Sequence, residues 1–189
     1  MMRHIVCASL RNLHAVRHTK MRFFLIGYMG SGKTFWARKL SEWYALPYLD
    51  LDADIEQAGG QPIAAWFETQ GETAFRKFEQ ERLHEAVAQM PQGIIACGGG
   101  TPCFQNNLMF MKQHGKLIFL DVSFMELYNR LQNETQHRPL LAQLKPNERK
   151  AFIKTQLEQR RIYYEQADYC LPLSLQTRSQ FDAIILPYV

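Results

Sequence analysis

The sequence predicts an α/β fold, a parallel sheet with helices on both faces. Three observations predict it. Short strand-like runs alternate with helical patterns along the whole chain, the signature of strand–helix–strand crossovers. The clearest of these runs are apolar throughout rather than alternating, as strands covered on both faces are. A glycine-rich loop joins the first run directly to the first helix, at the kind of strand end where such folds bind ligands.

The elements follow in order. Arg22 to Ile26 is apolar, is closed by Gly27 and reads as a buried strand. Thr34 to Tyr44 reads as a helix that Pro47 stops, and Tyr48 to Asp50 as a second short strand. Asp54 is placed to cap a helix beginning at Ile55. Pro62 suits the first turn of a helix over Ile63, Trp66 and Phe67, which Gly71 breaks. From Glu72, the residues Phe75, Phe78, Leu83 and Val87 recur at helical steps until Pro91 and Gly93. Ile94 to Cys97 is another buried strand, followed at once by Gly98-Gly99-Gly100. Residues 104–113 read as a helix and His114-Gly115 as a turn. Lys116 to Val122 is the clearest strand, and Ser123 with Glu126 forms a capping-box pattern for the next helix. Residues 133–146 are polar, contain two prolines and read as a loop or lid. A helix from Asn147 to about Gln166, a strand from Tyr169 to Leu173 and a short helix after Thr177 complete the chain.

Composition bounds the function. With 189 residues, 47% hydrophobic and 21% charged, the chain is one folded domain with a sizeable core. No apolar run reaches the ~18 residues of a membrane span. Cys7, Cys97, Cys103 and Cys170 form no CxxC pair and no disulfide framework, which fits a reducing compartment, the cytoplasm. Arg3, Arg11, Arg17 and Lys20 lie in the first twenty residues with no acid among them, leaving 18 basic and 18 acidic residues in the rest. The net charge of +4 therefore belongs to this tail and is no sign of nucleic-acid binding by the domain. Residues 1–20 are an over-called start, a disordered arm or a targeting segment; the domain runs over 21–189.

Gly27-Tyr28-Met29-Gly30-Ser31-Gly32-Lys33-Thr34 matches G-x-x-x-x-G-K-[ST] in full, between a predicted strand and a predicted helix. Gly30 and Gly32 let backbone N–H groups converge on phosphate oxygens, and the helix N-terminus adds positive partial charge. Lys33 supplies a cation for the β- and γ-phosphates, and the Thr34 hydroxyl a ligand for Mg²⁺. Asp50 and Asp52, two apart at a strand end, face the same side. One can hold Mg²⁺ through water, while the other orients a hydroxyl nucleophile or takes its proton. The triplet Gly98, Gly99 and Gly100 is costly in backbone entropy, which implies a ligand pressed against it or a plain turn. Glu79 lies one turn from Arg76 and can orient it, or the two form an ordinary surface pair. Arg138, in the lid-like segment, can reach a transferring phosphoryl group. Arg130 can stack on a base or cover its helix flank, and Arg160 and Arg161 precede a Tyr-Tyr pair.

Together these segments resemble the shikimate kinase family, over Met21 to about Leu173. The resemblance rests on GYMGSGKT (27–34), YLDLDADIE (48–56), GGQPIAAWFETQGETAFRKFE (59–79), IIACGGG (94–100), KLIFLDV (116–122), RPLL (138–141) and RRIYYEQA (160–167). It implies a nucleoside-monophosphate-kinase-like fold with a five-stranded parallel sheet, a substrate-binding helical region and a lid over about 133–146. It implies a monomer that phosphorylates the 3-hydroxyl of shikimate with ATP and Mg²⁺. Carried over, Gly30, Ser31, Gly32, Lys33, Thr34, Phe35, Arg130 and Arg138 serve the nucleotide, and Thr34 and Asp50 the metal. Asp52, Arg76, Gly98, Gly99, Gly100 and Arg160 serve shikimate, with Asp52 the candidate base and Lys33 and Arg138 at the transferred group. Glu79 positions the arginines and Phe67 and Phe75 wall the pocket. Phe35 departs from the family's usual Ser or Thr, Pro62 from a common Ser, and Ile162 from a Pro. The last leaves the second carboxylate-binding arginine open between Arg160 and Arg161. A different small-molecule kinase on this fold, such as a gluconate kinase, and a silent relative are the competing readings.

Overall fold

The computed structural model describes residues 20–133 and 144–189. Five strands, β1 (Arg22–Ile26), β2 (Tyr48–Asp50), β3 (Gly93–Ala96), β4 (Lys116–Asp121) and β5 (Tyr169–Pro172), form one sheet in the order β2-β3-β1-β4-β5. Every pairing is parallel, with Phe24 opposite Ile95 and Leu25 opposite Ile118. The helices are α1 (Lys33–Tyr44), α2 (Leu51–Gly59), α3 (Ile63–Thr69), α4 (Gly71–Gln89), α5 (Asn107–His114), α6 (Phe124–Asn133), α7 (Pro146–Tyr164) and α8 (Arg178–Ile185).

The sheet is apolar on both faces because each is covered. Successive side chains of β1 divide between two cores, as the two-residue period of a strand requires. Phe24 and Ile26 pack with Ile95, Leu117 and Phe119 beneath Leu51, Leu83 and Ile153 from α2, α4 and α7. Phe23 and Leu25 pack with Ile94, Ile118 and Leu120 against Ala37 and Leu40 of α1 and Phe181 and Ile185 of α8. The inner strand residues of β1, Phe23 to Ile26, are fully buried. Arg22 closes the bottom of the sheet. Its guanidinium donates to the carbonyls of Met90 (2.5 Å), Val87 (2.9 Å) and His114 (3.1 Å), groups that the ends of α4 and α5 leave without helical partners.

Four expectations need correction. The second helix begins at Leu51, not Ile55, because the Asp50 carboxylate accepts from the backbone N–H groups of Asp52 (3.1 Å) and Ala53 (3.3 Å) and so caps it. Asp52 therefore stands in the first turn of α2, not at the strand end beside Asp50. Asp54 is not a cap; both its oxygens take the guanidinium of Arg82 on α4, at 2.8 and 3.0 Å. The helix expected over 104–113 starts at Asn107, since Gln105 and Asn106 have φ of 52° and 59° and cannot continue a right-handed turn. Most of the expected lid, with Arg138, lies outside the described residues. Its flanks are ordered as helix, α6 ending at Asn133 and α7 opening with Pro146 at its first position.

Candidate active site

The phosphate loop runs from the end of β1 into α1. Gly30 and Gly32 take φ of 79° and 93°, values that L side chains rarely adopt, so the loop's tight curl depends on them. Gly32 precedes α1 and offers no side-chain cap, and the helix N-terminus turns its positive partial charge toward the loop, which favours an anion. Lys33 Nζ donates to the carbonyls of Gly27 (2.9 Å) and Tyr28 (3.0 Å), so the ammonium lies folded across the loop. The Ser31 hydroxyl is buried inside it with no hydrogen-bond partner among the described residues. An orphaned hydroxyl, a helix N-terminus and a lysine at one loop fit a phosphate group.

The neighbouring oxygens fit Mg²⁺. Thr34 Oγ1 donates to Asp50 Oδ2 at 2.5 Å, which brings a hydroxyl and a carboxylate together beside the loop. Mg²⁺ takes hard oxygen ligands, few of them from protein, and completes its shell with water and phosphate. Asp50 thus has two tasks, holding Thr34 through one oxygen and capping α2 through the other. A cleft of about 470 Å³ opens over the loop, with Asp52, Cys97 and Gly99 at one side and Arg130, Leu173 and Gln176 among its other walls. Arg130 donates to the Gly30 carbonyl (3.0 Å) and pairs with Glu126 (2.8 Å), and Phe35 is exposed on the cleft wall.

The second half of the site is built on α4. Arg76 is 7% exposed and Glu79 1%, so their pairing is not a surface one. Arg76 Nη1 donates to Glu79 Oε2 at 2.8 Å, while Nε and Nη2 share Glu72 Oε1 at 3.2 and 3.1 Å. The guanidinium lies 4.2 Å from the Phe104 ring centre, 5.1 Å from Phe75 and 5.7 Å from Phe67, an aromatic cage that fixes its plane. Thr101 Oγ1 donates to the other oxygen of Glu79 at 2.6 Å.

The glycine triplet is where these side chains converge. A Cβ on Gly98 would lie 2.6 Å from Asp52 Oδ1 and 3.0 Å from Glu79 Oε1. One on Gly100 would lie 2.7 Å from Arg76 Nη2. One on Gly99 would lie 3.6 Å from Arg160 Nη1 and 3.3 Å from the backbone nitrogen of Met29. The crowding comes from Asp52 at Gly98, from the Met29 backbone nitrogen at Gly99, with Arg160 in ordinary contact, and from Arg76 at Gly100.

Arg160, half-buried on α7, faces the Tyr28 ring at 5.7 Å. Arg161 is engaged elsewhere: both its terminal nitrogens hold Asp121, at 3.1 and 3.0 Å, and its Nε holds Glu165 at 2.7 Å. Of the two arginines, the one beside the triplet is Arg160. Tyr164 donates to the Gly99 carbonyl at 2.5 Å, and burial pushes its phenol well above the ordinary range. Burial likewise pushes the Cys103 thiol up to about 11, against the opposing pull of Arg160 and Arg76.

Sequence reasoning missed five members of this cluster: Glu72, Thr101, Phe104, Tyr28 and Tyr164. Glu72 alone carried a signal, four residues from Arg76 on a predicted helix. The others meet their partners across long stretches of chain.

A parallel sheet in this order, a phosphate loop after its central strand and an adjoining cluster of arginines and acids around the glycine triplet define a small-molecule kinase of the phosphate-loop class. The shikimate kinase family model matches residues 29–186. The chain belongs to the shikimate kinase family and is, as its members are, a kinase that uses ATP and Mg²⁺. A shikimate kinase of Bacteroides fragilis is 38% identical over 166 residues, 87% of this chain and 92% of that protein. The crystal structure of shikimate kinase from Bacteroides thetaiotaomicron superposes with a TM-score of 0.77 at 36% identity, covering 86% of this chain and 93% of that one. Shikimate kinase from Acinetobacter baumannii, solved in complex with shikimate, superposes with a TM-score of 0.76 at 30% identity, covering 89% and 92%.

Proposed function

We propose that this chain transfers the γ-phosphoryl group of ATP to the 3-hydroxyl of shikimate and that the two halves of the site divide the work. The observation that carries the reading is the position of Gly99. It adjoins both the phosphate loop at Met29 and the cation Arg160, so donor and acceptor pockets share one wall.

The phosphate loop, with Lys33 and the N–H groups of α1, holds the nucleotide phosphates; Ser31 donates its hydroxyl to them. Thr34 and Asp50 would hold Mg²⁺ beside the loop. When bound, that ion neutralises charge on the β- and γ-phosphate oxygens. Arg76 and Arg160 bind the substrate carboxylate, with Arg76 set by Glu79, Glu72 and the aromatic cage. Asp52, exposed on the first turn of α2 beside Gly98, takes the proton of the attacking hydroxyl. Arg138 supplies a cation that stabilises charge on the transferring phosphoryl group. Lys33 turns from its loop carbonyls to the transferred group, where its charge offsets what develops in the transition state. Arg130 borders the base.

This catalytic unit spans Met21 to Val189 and works as a cytoplasmic monomer; residues 1–20 take no part in it. Among the described residues no helix is long and apolar enough to cross a membrane. The test is the regiochemistry of the product. Phosphorus-31 and proton resonance of a reaction with ATP, Mg²⁺ and shikimate should show a single phosphomonoester on the 3-hydroxyl. Phosphate on another hydroxyl would displace Asp52 from the role given to it.

A further inference from the structure

We propose that Arg82 and Asp54 form a positioning clamp that sets Asp52 for proton transfer; the inference rests on the reading that Asp52 is the base. Asp54 follows Asp52 by two residues on α2, and Arg82 follows Glu79 by three on α4. Arg82 Nε and Nη2 donate to the two oxygens of Asp54 at 2.8 and 3.0 Å, and Nη1 donates to Glu85 at 2.5 Å. The side chains of Arg82 and Asp54 are 19% and 21% exposed, so water competes little for either. An exposed, singly bonded pair contributes little. Two parallel bonds between flat groups fix direction as well as distance.

Direction is what α2 needs. Leu51 and Ile55 of α2 share one buried core with Leu83 of α4. Apolar contact of that kind is non-directional and does not resist a roll of one helix on the other. Asp50 caps the first turn of α2, and near its far end Glu56 accepts from the Ile63 N–H at 2.9 Å. Asp54 ties the helix between those ends to α4.

A roll of α2 would be felt first at Gly98. A Cβ there would lie 2.6 Å from Asp52 Oδ1 and 3.0 Å from Glu79 Oε1, so carboxylates from both helices meet at one backbone position. Glu79 is fixed on α4 by Arg76 and Thr101. The clamp therefore holds Asp52 at a set distance from the cation that takes the substrate carboxylate. That distance decides where the reacting hydroxyl stands, and a general base works only within hydrogen-bond reach of the proton it takes. Neither Asp54 nor Arg82 lines the cleft over the phosphate loop, so each acts through Asp52.

The test measures kcat and KM for Arg82→Met, Arg82→Lys and Asp54→Asn, each made in the wild-type chain and in Asp52→Asn, with urea unfolding to establish that each is folded. In the wild-type chain, Arg82→Met should lower kcat by about three- to tenfold, short of the ~10²-fold that a misplacement of about 1 Å can cost, with the KM for ATP unmoved. Arg82→Lys keeps the charge without the fork and should lose nearly as much. With the base already gone, Arg82→Met should lower kcat no further, because residues that act as a unit are not additive. A general disturbance of the fold would instead lower kcat alike in both backgrounds. If Arg82→Met does not fold, Asp54→Asn carries the test. An unchanged kcat in a folded Arg82→Met, or an equal loss in both backgrounds, overturns the clamp and leaves Asp52 as base. Wild-type turnover in Asp52→Asn overturns the reading beneath it as well.

Discussion

Arg76 and Glu79 stand one turn apart on α4 and pair at 2.8 Å, with both residues under a tenth exposed. Two charges so far out of water stay there only when each is matched. Glu79 is matched twice, by Arg76 and by the Thr101 hydroxyl, and Arg76 has Glu72 as a second acid. The pair is a fixed cation held beside Gly100 rather than a swinging one.

Removing one charge of that pair should therefore cost both stability and substrate binding. Glu79→Gln is expected to lower unfolding free energy by about 2–3 kcal/mol, below the usual cost of breaking a buried pair because Glu72 remains. The KM for shikimate should rise in step. Urea unfolding and steady-state kinetics check it; an unchanged midpoint with an unchanged KM would remove Glu79 from its positioning role.

Arg76→Ala should act on one substrate only. The expected outcome is a KM for shikimate raised by tenfold or more, about the loss of one charged hydrogen bond, while affinity for ADP is retained. Titration of each ligand separately measures this. Equal loss of both affinities would point to a disturbed fold.

Asp52→Asn keeps the shape of the α2 first turn and removes the carboxylate proposed as base. Turnover should fall by ~10²-fold or more, the usual contribution of a positioned general base. Near-normal turnover would exclude Asp52 from proton transfer.

These roles were unevenly legible in the sequence. The phosphate loop was readable because its eight residues are contiguous and lie between a strand and a helix. The strands were readable because apolar runs in a two-sided sheet have no polar interruptions. Asp52 was misplaced by a local competition: in DLDADIE three acids can cap the helix, and the first one does. Once Asp50 caps, Asp54 is released to Arg82, 28 residues away, a contact no periodicity reveals. The links from Thr101 to Glu79 and from Tyr164 to Gly99 span 22 and 65 residues and were invisible for the same reason. The glycine triplet reads in the sequence as a ligand surface or a turn, and the sequence gives no sign that Asp52 and Arg76 crowd Gly98 and Gly100.

Burial of thiols and phenols makes stability depend on alkaline pH. The Cys103 thiol is raised from its ordinary 9.0 to about 11, and Cys97 and Tyr164 are raised as well, all chiefly by burial. Between those two values the unfolded chain has lost the Cys103 proton and the folded chain has kept it. Fewer protons on the unfolded state mean that stability falls as pH rises. Stability should be undiminished by this group below pH 9 and decline from pH 9 to pH 11. Melting temperatures across that window, compared with those of Cys103→Ala, should show a shallower decline in the variant; parallel curves would assign the effect to other groups.

The most direct measurement is ADP release with ATP and Mg²⁺, coupled to an indicator and run separately with shikimate, gluconate and a panel of nucleoside monophosphates. Turnover with shikimate and with none of the others is the predicted result. Turnover with gluconate or a nucleotide in its place, or none with shikimate from folded protein that binds ADP, would contradict the assignment of Arg76, Arg160 and Asp52 to this acceptor.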